Sequence, residues 1–166
     1  MPNASQEFEL SIFATKEAIE QYQEWLKEVL KTDQVEIIEA PQYADFDYYV
    51  YVNGLLHHLL EVKTRRHEGG RYDQEKMPLR KHAVAAFFMR EQKLKTIYLC
   101  SWIDKIAILE LHEMPNQIST MVARYDRGNE QDIYAMYDFS RFKLIKNRKR
   151  PEPPKYRLFQ GRYIQE

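Results

Sequence analysis

Two aspartates, a glutamate and a lysine fall within residues 45–63, which read Asp-Phe-Asp-Tyr-Tyr-Val-Tyr-Val-Asn-Gly-Leu-Leu-His-His-Leu-Leu-Glu-Val-Lys. The apolar arms on either side of Asn53-Gly54 predict a β-hairpin over Tyr48–Val52 and Leu55–Lys63. Glu61 and Lys63 are two positions apart, so a strand puts them on one face. Asp45 and Asp47 each lie an even number of residues from Glu61. A hairpin loop with an odd number of residues therefore brings both onto that face. A three-residue loop around Asn53-Gly54, with glycine in the left-handed conformation, meets the condition. Carboxylates converging with a lysine can hold a hard divalent cation and place an ammonium beside it, which is the outline of phosphodiester hydrolysis.

A surface hairpin with a cross-strand Glu–Lys pair would contain the same residue types. Glu61 argues against that reading. It closes the apolar run Leu59-Leu60-Glu61-Val62, where a carboxylate is costly unless it is used. The other candidates carry weaker chemistry. His57 and His58 are neighbours on a strand, so one is expected to point inward and the other outward. His67, His82, His112 and Cys100 lack zinc-type spacing, and Cys100 reads as core. Tyr48, Tyr49 and Tyr51 could stack on bases, but packing explains them as well. No glycine-rich phosphate loop is present, which argues against a nucleotide-driven motor.

The elements that position the hairpin follow from periodicity. Phe8, Leu10 and Ile12 alternate with polar residues and predict a short strand or extended lead-in. Thr15 is the expected N-cap of a helix over Lys16–Lys31, with Ala18/Ile19, Tyr22, Trp25/Leu26 and Val29/Leu30 at helical spacing. Val35–Glu39 reads as a strand stopped by Pro41. Arg65–Met77 is expected to be a polar loop beside the substrate. A second helix is expected over Pro78–Gln92, burying Ala83, Val84, Phe87 and Phe88. Strands follow over Lys95–Trp102 and Lys105–Leu111. Pro115 is expected to open a short helix to Tyr125, and Asp126–Asn129 a turn. Ile133–Ile145 reads as extended with a break at Asp138–Arg141. Lys146–Glu166, with three of the seven prolines, reads as an irregular arm. A mixed sheet flanked by helices is the packing this order calls for, hence an α/β fold.

The chain of 166 residues fits one domain, expected over 1–145, with the basic arm 146–166 appended. Its 44% hydrophobic content supports a real core, and no apolar run reaches membrane-spanning length. No secretory signal is evident at the N-terminus, and a single cysteine cannot form an internal disulfide, so an intracellular (cytoplasmic) location is the expectation. The formal net charge is zero but segregated: −9 over residues 1–61, +2 over 62–140 and +7 over 141–166. The basic tail and Lys63-Thr64-Arg65-Arg66 could meet phosphates, or simply be solvated.

The hairpin, its Glu61-Val62-Lys63 and the order of elements resemble the PD-(D/E)XK nuclease superfamily, over roughly residues 15–111. Tyr-Val-Asn-Gly…Leu-Glu-Val-Lys-Thr-Arg is similar to Holliday-junction resolvases and small phage or bacterial nucleases of that superfamily. The proline usually written before the first acid is absent, since Ala44 precedes Asp45 and Phe46 precedes Asp47. The resemblance implies a restriction-endonuclease-like αβββαβ core with a C-terminal extension. It implies Mg²⁺ or Mn²⁺ held by Asp47 (Asp45 in reserve), Glu61 and the Val62 carbonyl, with Lys63 positioning the attacking water. A helix carboxylate is frequent in that superfamily; Glu17, Glu20 and Glu24 are candidates, with Glu20 preferred. Arg80, Lys81 and His82 occupy the place where relatives put a basic residue facing the site, so Arg65, Arg66, Arg80 and Lys81 are expected to contact nucleic acid. The expected function is a metal-dependent deoxyribonuclease, an endonuclease acting on DNA. The alternative is a non-catalytic nucleic-acid- or protein-binding module that keeps the fold. Dimerisation would suit cutting of two strands.

Overall fold

The first helix is longer than its periodicity predicts. In the computed structural model, which describes residues 4–124, 130–152, 156–159 and 162–165, α1 spans Ala4–Leu30. Side chains are described for residues 10–121 and 131–152. The lead-in expected as a strand is helical, and Thr15 lies inside the helix rather than at its cap. No glycine or proline interrupts residues 4–30, and Leu10, Phe13/Ala14 and Glu17/Ala18 continue the helical spacing backwards. Ala14, Ala18, Tyr22 and Leu26 recur every four residues and are all buried. The helix stops at Lys31, in the left-handed conformation (φ 52°).

This stripe packs on a six-stranded sheet of β1 (Val35–Glu39), β2 (Tyr48–Val52), β3 (Leu55–Thr64), β5 (Thr96–Ser101), β6 (Lys105–Glu110) and β9 (Lys143–Asn147), in that spatial order. Only β3 and β5 run parallel; the other neighbours are antiparallel. Ala18, Tyr22 and Leu26 meet Val35, Val50, Leu60, Ile97, Leu99 and Ile106 on one face. On the other, Tyr98, Cys100, Trp102, Ala107 and Leu109 meet α2 (Leu79–Gln92) and a three-stranded antiparallel sheet of β4 (Gln74–Pro78), β8 (Glu130–Asp138) and β7 (Gln117–Arg124). Strand β5 is buried along its whole length because it is sandwiched between these layers. Cys100 is core as expected, and burial pushes its thiol up to about 12.

Four further expectations change. The end of the polar loop Arg65–Met77 is strand β4, inserted between β3 and α2 and paired with β8. The short helix expected after Pro115 is strand β7, in which Ile118, Thr120 and Val122 alternate and the backbone pairs with β8. The buried side of α2 is His82 and Ala85, while Ala83 and Phe87 are exposed. His82 sets that rotation, with Nδ1 within 3.0 Å of both the Leu111 carbonyl and the Tyr137 hydroxyl. The tail read as irregular contains β10 (Tyr156–Phe159) paired with β11 (Arg162–Gln165), and Lys146 lies inside β9. The turn expected at Asp126–Asn129 lies outside the described residues. Among the described residues, no helix is long and apolar enough to cross a membrane.

Candidate active site

The hairpin reaches the required parity by a route different from the expected one. Val52 pairs with Leu55, so the loop is only Asn53-Gly54, with φ of 51° and 77°. Positive φ at both positions is the two-residue turn that matches strand twist. Such a loop alone would set Asp47 and Glu61 on opposite faces. The register then shifts between Val50 and Tyr51, because Tyr51 pairs with Leu56 but Val50 with His58. His57 is the extra residue of a β-bulge, and it restores the even sum. The same bulge turns the two imidazoles together instead of apart: their Nδ1 atoms are 2.8 Å apart. His58 is buried with Nε2 2.7 Å from the Tyr22 hydroxyl, and burial pulls its pKa down to about 3.

Past the bulge, Tyr48 pairs with Leu60 and the Asp47 N–H donates to the Leu60 carbonyl at 3.0 Å, which sets Asp47 beside Glu61. Asp47 Oδ2 accepts the Val62 N–H at 2.8 Å, fixing the carboxylate across the strand end. Glu61 is 9% exposed. Burial pushes its pKa up to about 7, the Asp47 charge pushes the same way, and Lys81 opposes both. Lys81 reaches over from α2, with Nζ 3.2 Å from Glu61 Oε2, and also donates to the Asp45 carbonyl at 2.9 Å. Lys63 is exposed at residue level. Partial burial of its amine and the nearby Arg65 pull its pKa down, against Glu61 and Asp47.

Asp47, Glu61, Val62, Lys63 and Lys81 are thus brought together. Asp45 is not: its carboxylate faces Arg80 at 3.4 Å on the surface. Lys81 spends its charge on Glu61. Arg65 is bound into the protein, 3.1 Å from buried Glu75, whose other oxygen takes the Trp102 indole N–H. Arg66 is exposed and lines a groove beside Lys63. Glu20 is exposed, and no hydrogen bond or ion pair among the described residues links it to the cluster. The helix acid turned inward is Glu17, 2.9 Å from Arg148.

Some participants carry no sequence signal. Glu39 shares with Asp47 a cavity of about 360 Å³ on the strand ends. Arg148 and Arg150 come back from beyond β9 to the end of β5, where both guanidinium groups donate to the Ser101 hydroxyl. No local pattern could reveal this, because Glu17 and Arg148 are 131 positions apart. A second cluster exists: Glu110, His112 and Glu113 bring ligand atoms within 4.8 Å of one another. Each acid there already has a cation, Lys95 at 2.7 Å from Glu110 and Arg141 at 3.4 Å from Glu113. Glu110 pairs with Ile97, two strands from the Asp47–Glu61 corner.

A paired acid on one strand and Glu-x-Lys on the next, in a mixed sheet between two helices, is the arrangement against which the comparison with known families is decisive. Residues 6–145 match the model of the family described as "Phage putative PDDEXK endonuclease". The chain belongs to this family of PDDEXK endonucleases. No curated protein matches it. The match begins within α1 and ends inside β9, so it extends well past the 15–111 of the sequence resemblance.

Proposed function

We propose that the chain is a divalent-metal-dependent nuclease that hydrolyses DNA phosphodiester bonds, with Asp47, Glu61 and Lys63 as its catalytic residues. The observation that carries this is Glu61, a buried carboxylate set beside Asp47, its charge only partly offset by Lys81. Two carboxylates at one corner, next to an exposed strand end, suit a hard cation that keeps part of its water shell. Asp47, Glu61 and the Val62 carbonyl would hold it. When bound, Mg²⁺ or Mn²⁺ polarises the phosphate and lowers the pKa of an attacking water.

The chain's own residues do the rest. The Val62 N–H holds the Asp47 carboxylate in place, so little ordering remains to be done on binding. Lys81 keeps Glu61 nearer its charged form than burial alone would allow. Lys63 donates to the attacking water or a phosphate oxygen and stabilises the charge that develops as water adds to phosphorus. The attacking water gives up a proton to solvent, the bond from phosphorus to one sugar oxygen breaks, and that oxygen takes a proton from solvent. In this reading α1, β1–β3, α2 and β5 are the αβββαβ core, β4 is an insertion, and residues after β6 form the extension.

The test is cleavage of labelled linear, nicked, branched and single-stranded DNA with Mg²⁺, Mn²⁺ or EDTA, using wild type beside Lys63→Ala. Metal-dependent cutting lost in the variant supports the reading. Absence of cutting together with absence of metal binding by calorimetry overturns it.

A further inference from the structure

A groove adjoining the active corner lies between the N-terminal half of α1 and the end of β3. It holds about 600 Å³, and its lining includes Leu10, Phe13, Lys63, Ile103 and Arg150. That volume matches the usual range for small-ligand sites. Thr15 and Val62 line both this groove and the cavity at Asp47, so the two flank the active corner on either side of one ridge.

Two properties distinguish this groove from a merely basic surface. The first is charge with no carboxylate hydrogen-bonded to it among the described residues. Arg150 is half-buried, and its guanidinium donates only to neutral oxygens: the Arg65 carbonyl at 3.1 Å, the Ser101 carbonyl at 2.7 Å and the Ser101 hydroxyl at 3.0 Å. Its Nε is buried without a hydrogen-bond partner, and no carboxylate pairs with it among the described residues. Burial and then the neighbouring Arg148 lower its pKa, with nearby Glu17 only partly opposing them, so the cation is held there at a cost that an anion would relieve. The second is apolar surface beside that charge. Leu10 and Ile103 are 37% and 38% exposed, although both are large hydrophobic side chains.

We propose that this groove takes an unpaired nucleotide of the substrate strand, its phosphate on Arg150 and Lys63 and its base against Leu10, Phe13 and Ile103. A paired duplex would offer this wall phosphates and sugars alone and leave the apolar part facing water. An unpaired base has an apolar face that covers it. The substrate class assigned is therefore DNA with a single-stranded segment next to the scissile phosphate. This deepens the nuclease reading, on which the role of the adjoining Lys63 corner rests.

The experiment is fluorescence anisotropy in EDTA, where no cutting occurs, with labelled single-stranded, blunt duplex and tailed duplex DNA. The single-stranded and tailed probes are expected to bind roughly tenfold tighter than the blunt duplex. Leu10→Asp, on the partly exposed face of α1, removes that preference with the melting temperature kept, and so does Arg150→Ala. Leu55→Asp makes the same change at a 74% exposed leucine on the hairpin tip and keeps wild-type binding. Equal or tighter binding of blunt duplex, or a preference that survives Leu10→Asp, overturns the proposal. Cleavage is scored separately with Mg²⁺. Cutting without the strand preference sinks the groove alone, and preference without cutting sinks the nuclease alone.

Discussion

Lys81 Nζ on α2 stands 3.2 Å from Glu61 Oε2 on β3, and this contact sets how much of Glu61 is charged. Replacing Lys81 with Met leaves only Lys63 opposing burial and Asp47, so the Glu61 pKa moves above about 7. The carboxylate form that a cation needs is then reached only at higher pH. The rise in melting temperature on adding Mg²⁺, followed across pH, is expected to shift to more alkaline values in Lys81→Met. An unchanged midpoint would mean that Lys81 does not govern Glu61.

The hairpin shows how far the sequence could be read. Alternation, Asn53-Gly54 and the Glu61–Lys63 spacing were enough to place both arms within a residue, since these are local signals. The bulge at His57 was not legible, because nothing in His57-His58 distinguishes an extra residue from a regular one. Parity of the acids was right for the wrong loop. Strand β7 and the buried side of α2 are not legible for another reason: their partners, β8 and Leu111, are set by tertiary packing. Lys81 was placed near the site, but its partner was invisible until α2 had a rotation about its axis.

Glu61 makes the free protein pH-sensitive in an uncommon direction. Its folded pKa, about 7, lies above the ordinary 4.5, so between those values the folded chain holds a proton that the unfolded chain has lost. Stability contributed by this group therefore falls as pH rises through that window. Glu61→Gln is expected to raise the melting temperature in EDTA at pH 8 and to change it little at pH 4.5. The gain is on the order of 3 kcal/mol at most, taking about 1.36 kcal/mol per pKa unit. Mg²⁺ should stabilise wild type at pH 8 and leave the variant unaffected.

His58 acts in the opposite sense. Burial depresses its folded pKa to about 3, below the usual 6.5. The unfolded chain takes a proton first as pH falls, so stability is lost between about pH 6.5 and 3. His58→Gln keeps a polar partner for the Tyr22 hydroxyl but cannot titrate. Its denaturant midpoint is expected to be flatter across that window than wild type's. Parallel slopes would assign the acid sensitivity elsewhere.

The bulge can be tested by subtraction. His57 is exposed, and His57→Ala keeps the backbone count, so a loss below about 1 kcal/mol is expected. Deleting His57 removes one residue from β3. If the Asn53-Gly54 turn holds, the ladder becomes regular, Val50 still pairs with His58, and Leu60 and Glu61 keep their faces. Circular dichroism and melting should show the fold kept in the deletion variant, with its Mg²⁺ response retained. A deletion variant that loses the Mg²⁺ response would mean that His57 is not the extra residue and that register is set elsewhere.

Glu17 and Arg148 tie the chain beyond β9 to α1, and both side chains are less than a tenth exposed. Arg148 also donates to the Trp102 carbonyl and the Ser101 hydroxyl, so it joins the helix, the end of β5 and the segment that carries Arg150. Removing one member of such a pair leaves a buried charge without its partner, which costs roughly 3–5 kcal/mol. Arg148→Ala should lose about that much in urea unfolding. Glu17→Gln in the same background should recover part of it, because the stranded charge is then gone. If the two substitutions simply add, the pair is not coupled, and the return of the chain to the active corner depends on Arg150 and Ser101 instead.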